Sequence, residues 1–246
     1  MTSSMEQAEA RVDRSPLRLP LIREDKTLDP EDNLERESVY TRNARVPQAR
    51  VWRSLDSVVL GRFLDPEAEV DLDAARRLGI PVLRRESGGG AVFHDAGNIN
   101  YSLYMPLSAV ERLTVEEGLQ ALSWPVTRLL DSLAVPWTWV PPNNVYVLGR
   151  KVSGSAQARK GRRIVHHGTL LVSSDLELIR VLLKPGGRSR IAMVINLVEA
   201  VPGLSAGEIE RMLEGVIEGI QAGCRLTCAF PGAGSASVES TAEPGW

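Results

Sequence analysis

Three short segments of this 246-residue chain combine residue types that can do chemistry. The first is Arg84-Arg85-Glu86-Ser87-Gly88-Gly89-Gly90-Ala91-Val92-Phe93-His94-Asp95. Three consecutive glycines cost backbone entropy, a cost that makes sense where the chain must take positive φ or lie flat against a ligand. The two arginines before them carry planar donor forks suited to carboxylate or phosphate. No Gly-Lys-Ser/Thr follows, which excludes a P-loop. The glycines are contiguous and no helix opens after them, which excludes a dinucleotide fingerprint. The competing structural reading is a tight hairpin turn with its arginines in solvent.

The second segment is Gly149-Arg150-Lys151-Val152-Ser153-Gly154-Ser155-Ala156. Strand alternation puts Lys151, Ser153 and Ser155 on one face. A lysine among small residues can point into a pocket, where its ammonium is a compact charge for an acyl carboxylate or a transferring phosphoryl group. An exposed hairpin lysine is the alternative. The third segment is Arg163-Ile164-Val165-His166-His167-Gly168-Thr169. Adjacent histidines on a strand point to opposite faces, so at most one shares a site with Lys151. With His94 after the glycine run and both cysteines, Cys224 and Cys228, near the chain end, convergent zinc ligation is not expected.

The elements that must position these segments are legible in part. Residues 29–41 read as a helix with Asp29 as N-cap and Pro30 at the first helical position. Strand signals lie around Val51 and Val58–Leu60, and a short helix over 71–78 closes at Gly79. Pro81-Val82-Leu83 enters the glycine run and Ala91-Val92-Phe93-His94 leaves it. Thr114 with Glu117 forms a capping-box pattern for a long helix that Pro125 should kink or split. Strands follow around Trp137–Trp139, Val145–Val147 and 163–172, with a turn at Leu148-Gly149-Arg150. Ser174 with Glu177 and Ser205 with Glu208 start two more helices, the last lined by Ile209, Met212, Leu213, Val216, Ile217 and Ile220. Without a steady βαβ alternation, the class is α+β.

Composition is that of a soluble globular chain, 43% hydrophobic and 24% charged. No run of apolar residues suffices to span a membrane, and the polar N-terminus reads as neither secretory signal nor transit peptide. Two cysteines exclude a disulfide framework, and a cytoplasmic location is expected. Residues 1–16 and 231–246 read as disordered tails around one domain over 17–230. Net charge is −2, yet no acidic residue falls between Asp131 and Asp175, where Arg150, Lys151, Arg159, Lys160, Arg162 and Arg163 cluster. Such one-sign stretches mark an anion as partner, or a solvated basic loop. Nucleic acid is not expected, since the stretch is short and aromatics do not interleave with it.

Taken together, residues 84–102, 143–156 (NNVYVLGRKVSGSA) and 166–172 (HHGTLLV) resemble the lipoate-protein ligase A family of the biotin/lipoate ligase superfamily in order and spacing. The resemblance extends over roughly residues 17–222, including weaker segments at Asn33-Leu34 and Arg53 to Gly61. It implies a mixed, largely antiparallel sheet flanked by helices, like the core of class II aminoacyl-tRNA synthetases. It also implies a two-step reaction, in which lipoate or octanoate plus ATP gives acyl-AMP and the acyl group then passes to a lysine of a carrier domain.

By the same resemblance, Lys151 bridges the acyl carbonyl and the phosphate. Arg84, Ser87, Gly88, Gly89, Gly90 and Ala91 lie along the acyl group and adenylate, and His94 ends that strand before the turn shaped by Asp95 and Asn98. Asn143, Ser153, Gly154, Ser155 and His167 complete the binding set, residues 159–167 close over the nucleotide, and Val92, Tyr101 and Leu103 line an apolar tunnel. Asn144 stands where the family has the aspartate that holds Mg²⁺. The implied partners are acidic lipoyl-carrier domains, of the 2-oxoacid dehydrogenase E2 or glycine-cleavage H type, and a separate accessory subunit in place of the C-terminal domain of larger relatives. Two other readings stand beside this one: an acyltransferase working without ATP, between carriers or from preformed acyl-AMP, and a noncatalytic carrier-binding module.

Overall fold

The computed structural model describes residues 19–23, 28–185 and 193–219. Both tails, both cysteines and Ile220 lie outside the described residues. Strands β1 (Gln48–Trp52), β5 (Asn98–Pro106), β9 (Arg163–Leu171), β8 (Arg150–Lys160), β7 (Asn144–Val147) and β6 (Trp137–Val140) make a six-stranded sheet in the order β1-β5-β9-β8-β7-β6, every pair antiparallel. Strands β2 (Ser57–Leu60), β3 (Val82–Arg84) and β4 (Val92–His94) make a smaller sheet, with β2 parallel to β3 and antiparallel to β4.

Alternation along the central strands decides what each face of the large sheet touches. Tyr101, Leu103, Val152, Ile164 and Leu170 are fully buried in the main core. Helices α4 (Val115–Leu122), α5 (Trp124–Ser132) and α8 (Ala206–Gly219) cover that face. Ile209, Leu213 and Ile217, spaced four apart on α8, are each 0% exposed, worth at most about 1.5–3 kcal/mol apiece. Pro125 splits the expected long helix: α4 ends and α5 begins at Ser123, and the apolar stripe continues across the break.

The opposite face carries Arg50, Trp52, Asn100, Ser102, His167 and Thr169 in register across β1, β5 and β9. Helix α1 (Pro30–Asn43) packs on it, capped by Asp29 as expected. Asn33, Glu37 and Thr41, spaced four apart, are its buried residues, so this helix presents polar groups to the sheet. Helix α2 (Pro66–Glu69) leads into α3 (Leu72–Leu78), closed at Gly79 (φ 67°), and the small sheet with α3 covers the rest through a second core.

Three expectations need correction. The cap of α6 (Leu176–Leu182) is Asp175, whose carboxylate accepts from the N–H groups of Glu177 and Leu178; Ser174 bonds instead to Asn196. Tyr101 and Leu103 sit in the core beneath the large sheet, because the alternation places their neighbours Asn100 and Ser102 on the other face. Lys151, Ser153 and Ser155 do not share a face. Tyr146 pairs with Lys151 but Val145 pairs with Ser153, so Val152 is an extra, bulged residue that reverses the phase of β8. Ser155 Oγ accepts from the Ser123 hydroxyl on the helix side.

Candidate active site

Between the two sheets lies a cavity of about 480 Å³, within the range for small-molecule sites. One end is formed by Lys151, Gly154, Asn143 and Asn144, the other by Trp52, Glu37 and His167, and Gly89, Gly90, Ala91, Val92 and His94 lie along its wall. Strand pairing aligns Asn144 with Gly154, Gly154 with Thr169, Thr169 with Asn100 and Asn100 with Trp52. The cavity therefore runs across the strands of the large sheet.

The bulge at Val152 is what delivers the lysine. A Cβ on Gly154 would sit 2.8 Å from Lys151 Nζ and 3.5 Å from Asn144 Oδ1, so the ammonium lies directly over the glycine. The Lys151 carbonyl accepts from Ile195 N–H at 3.0 Å, which ties the bulge to the chain before α7 (Leu197–Ala200). Asn143 donates to the Ser155 carbonyl at 2.5 Å, and Asn144 donates to Asn143 Oδ1 at 3.1 Å. Ser153 is buried beneath the strand and does not line the cavity.

The arginine in the cavity wall is Arg85, not Arg84. Arg84 donates one Nη to the carbonyls of Gly61, Arg62 and Leu64, away from the cavity. Arg85 is buried and uses all three nitrogens: Nε to Ser87 Oγ at 2.9 Å, Nη1 to the Val59 carbonyl at 3.1 Å, and Nη2 to the Gly88 and Gly90 carbonyls at 2.6 and 2.8 Å. Burial lowers its pKa to about 10 against the raising influence of Glu37, so the guanidinium stays charged at neutral pH. The glycine run thus has its conformation fixed by a cation, with Gly89 at φ 88°. Gly61 supports it from behind: a Cβ there would lie 2.2 Å from the Gly89 carbonyl oxygen.

A buried hydrogen-bond chain continues from this loop to the far end. Ser87 Oγ lies 2.7 Å from His167 Nε2, and His167 Nδ1 lies 2.8 Å from Glu37 Oε1. Ser102 donates to Glu37 at 2.9 Å and accepts from Trp52 Nε1 at 3.1 Å. Ser87 and Gly88 do not themselves line the cavity; they hold the residues that do. His94 meets Trp52 edge-on, with centroids 5.5 Å apart. Burial, aided by the charges of Arg85 and His167, lowers its pKa to about 3 and keeps it neutral. His166 points to the core, beside the Tyr101 hydroxyl at 3.2 Å, as strand alternation requires.

Burial alone would raise the pKa of Glu37, but the charge and hydrogen bond of His167, the Ser102 hydroxyl and Arg85 together hold it below the usual carboxylate value of 4.5. A carboxylate with a depressed pKa stabilises the fold above its unfolded pKa, and that stability is lost as pH falls through the folded value. The contribution should therefore be complete at neutral pH and decline as pH falls below about 4.5 toward the folded value. Glu37→Gln should lower stability at pH 7 by about 1–2 kcal/mol and flatten the acid limb of the melting-temperature profile. An unchanged acid limb would remove Glu37 from this role.

Residues 159–163 do not form a loop over the cavity. They are the end of the β8–β9 hairpin, turning at Gly161 (φ 58°), and of the segment 159–167 only His167 reaches the cavity wall. Lys160 pairs with Glu86 at 3.2 Å, and Arg159 and Arg163 donate to the carbonyls of Thr114 and Ala44.

As to Mg²⁺, the donors at the Lys151 end are two amides and an ammonium, and among the described residues the one acidic side chain lining the cavity is Glu37, at the far end. Mg²⁺ is a hard cation that favours carboxylates, so these residues do not fit a protein-held ion. Among the described residues, no group of three His, Cys, Asp or Glu could hold a metal. No helix among them is long and apolar enough to cross a membrane.

A family model described as the lipoyl protein ligase A/B catalytic domain matches residues 29–217. A protein of Aeropyrum pernix named as a lipoate-protein ligase A is 42% identical over 137 residues, covering 56% of this chain and 50% of that protein. The chain spans about half the length of the curated relatives it matches. Among solved structures, an archaeal bipartite lipoate protein ligase from Thermoplasma acidophilum, described with its E2 lipoyl domain, superposes with a TM-score of 0.72 at 25% identity, covering 83% of this chain and 84% of that one. A T. acidophilum structure described as a lipoate protein ligase with bound lipoic acid gives 0.70 at 25% identity, covering 82% and 85%.

Proposed function

The chain belongs to the lipoyl protein ligase A/B catalytic domain family, and on that footing we infer that it activates lipoate with ATP and passes the lipoyl group to a lysine of a carrier domain. The observation that carries this reading is the ammonium of Lys151 over Gly154, at one end of a cavity whose wall is the Arg85-pinned glycine run. A carboxylate approaching a phosphate must overcome like-charge repulsion. Fixed cations at that point lower the barrier, each by about 3–4 kcal/mol in favourable cases.

In the first step a carboxylate oxygen attacks the α-phosphorus of ATP and pyrophosphate leaves. In the second, the carrier amine attacks the acyl carbonyl, AMP leaves with the bonding pair, and the amine gives up a proton. Lys151 serves both steps by facing the oxygens shared between acyl group and phosphate. The glycine run lets backbone lie close to the adenylate, and Trp52 closes the acyl end. Bound lipoic acid in a structure of the same fold is consistent with a cavity of this size.

A second reading has a specific observation behind it. Among the described residues, Asn143 and Asn144 stand at the Lys151 end and no carboxylate lies there to hold Mg²⁺, which favours transfer from preformed acyl-AMP over its synthesis. Purified chain, lipoate, labelled ATP and an apo-lipoyl domain separate the two when acyl-AMP and acyl-carrier are measured independently. Appearance of both supports the ligase. Transfer only when acyl-AMP is supplied supports the second reading.

The carrier should meet the exposed tip of the β8–β9 hairpin, where Arg162 adds charge that the cavity does not use. Rim charges act mainly on association and are screened over about 8 Å at physiological salt. Arg162→Glu should raise KM for an acidic carrier several-fold and flatten its salt dependence, with lipoate binding unchanged. Loss of lipoate or adenylate affinity, with carrier kinetics intact, would place the docking surface elsewhere.

A further inference from the structure

Among the polar groups at the acyl end of the cavity, most are already committed. Trp52 donates to Ser102, Ser102 donates to Glu37, and His167 bridges Glu37 and Ser87. Asn100 differs. It lines the cavity and is 1% exposed, and neither Nδ2 nor Oδ1 has a hydrogen-bond partner among the described residues. An amide buried in this way is costly unless something supplies its partner, and the surface it meets here is the space a ligand would fill.

Its depth says which part of a ligand that is. Asn100 stands two strands from Gly154, the residue under Lys151 Nζ, and pairs with Trp52 on the edge strand β1. Strands lie about 4.8 Å apart, so the offset is about 10 Å. Bonds of about 1.5 Å, staggered along an extended chain, cross that distance in roughly eight, counted from the carboxylate oxygen. An acid whose carboxyl meets Lys151 therefore brings its sixth to eighth carbons beside the Asn100 amide. In lipoate those carbons carry the two ring sulfurs, which are weak hydrogen-bond acceptors. In octanoate they are methylenes and a methyl, which leave the amide unsatisfied.

We propose that Asn100 is the specificity-determining residue of the acyl cavity, its unpaired amide reading the cyclic disulfide of lipoate and disfavouring straight-chain saturated acids. This rests on the functional reading above. Of the polar groups named at this end, Asn100 is the one left without a partner, so exchanging it for a shape-matched apolar residue should remove the discrimination.

The test measures transfer from synthetic lipoyl-AMP and octanoyl-AMP to an apo-lipoyl domain, with wild type, Asn100→Leu and Asn100→Ser. The ratio of kcat/KM for lipoyl over octanoyl should fall about tenfold in Asn100→Leu, through KM. Asn100→Ser, which keeps a donor, should lie between. The ligand-free melting temperature of Asn100→Leu should be unchanged or higher, because an uncompensated buried amide has been removed. An unchanged ratio overturns the proposal. So does equal loss of both substrates with a lowered melting temperature in both variants, which would mark Asn100 as structural. If wild type uses neither adenylate, the functional reading itself fails, an outcome distinct from unaltered selectivity.

Discussion

Lys151→Ala is expected to reduce acyl transfer by at least about 100-fold, the scale for removing one fixed charge-stabilising donor, while the protein stays folded. The side chain lies over a glycine and within a cavity, so no packed core is opened. The backbone bond from Ile195 to the Lys151 carbonyl and the bulge at Val152 do not depend on it. The loss should fall on kcat more than on KM, because charge builds up on the acyl and phosphate oxygens only as the reaction proceeds. Gly154→Ala gives an independent check. Its methyl would meet Lys151 Nζ at 2.8 Å and Cε at 2.9 Å, the far end of a flexible side chain. The fold should tolerate it, while the displaced ammonium loses much of its effect. Turnover above a tenth of wild type in Lys151→Ala would contradict the role.

Gly61→Ala should act by a different route. Its Cβ would lie 2.2 Å from the Gly89 carbonyl oxygen and 3.0 Å from the Gly89 carbonyl carbon, backbone against backbone, so one of the two segments must move. Overpacking of this kind costs about 1–3 kcal/mol, or roughly 2–12 °C in melting temperature for a chain of this size. Whatever remains folded should bind acyl-adenylate poorly, since the displaced loop is the cavity wall. Gly88→Ala is the matched control, because its added methyl meets nothing within 4 Å. Its melting temperature should stay at the wild-type value. Equal effects of the two substitutions would mean that the glycine run is not held by Gly61.

These positions also mark how far the sequence could be read. Local signals carried well: the Asp29 cap, the Thr114–Glu117 box, the Pro125 break, the Gly79 stop and the opposite faces of His166 and His167 all depend on a few neighbouring residues. The glycine run stood out because its backbone entropy is costly unless used, and Lys151 because it sits among small residues. What was misread depends on pairing. Arg84 and Arg85 are adjacent at the end of β3, and only its parallel register with β2 decides which of them meets the cavity. The Val152 bulge leaves no mark in Lys151-Val152-Ser153-Gly154, yet it changes which residues accompany the lysine.

Glu37, Trp52 and Asn100 went unnoticed as well. For Glu37 a signal existed: Asn33, Glu37 and Thr41 repeat every four residues, a polar stripe that a helix lying on a polar site would show. For Asn100 the alternation of Asn98, Asn100 and Ser102 against Ile99, Tyr101 and Leu103 was available once residues 98–106 were recognised as a strand. Recognition of that strand would also have sent Tyr101 and Leu103 to the core.

The most direct measurement is a single-turnover assay in which preformed lipoyl-AMP is mixed with the purified chain and an apo-lipoyl domain, and lipoylated carrier is quantified by mass. Supplying the adenylate bypasses activation by ATP and isolates the step assigned to the cavity and Lys151. Wild type should lipoylate the carrier at one lysine, and Lys151→Ala should fall to the rate of adenylate and carrier alone. Wild type no faster than that background, with a folded protein and a competent carrier, would contradict the assignment of acyl transfer to this site.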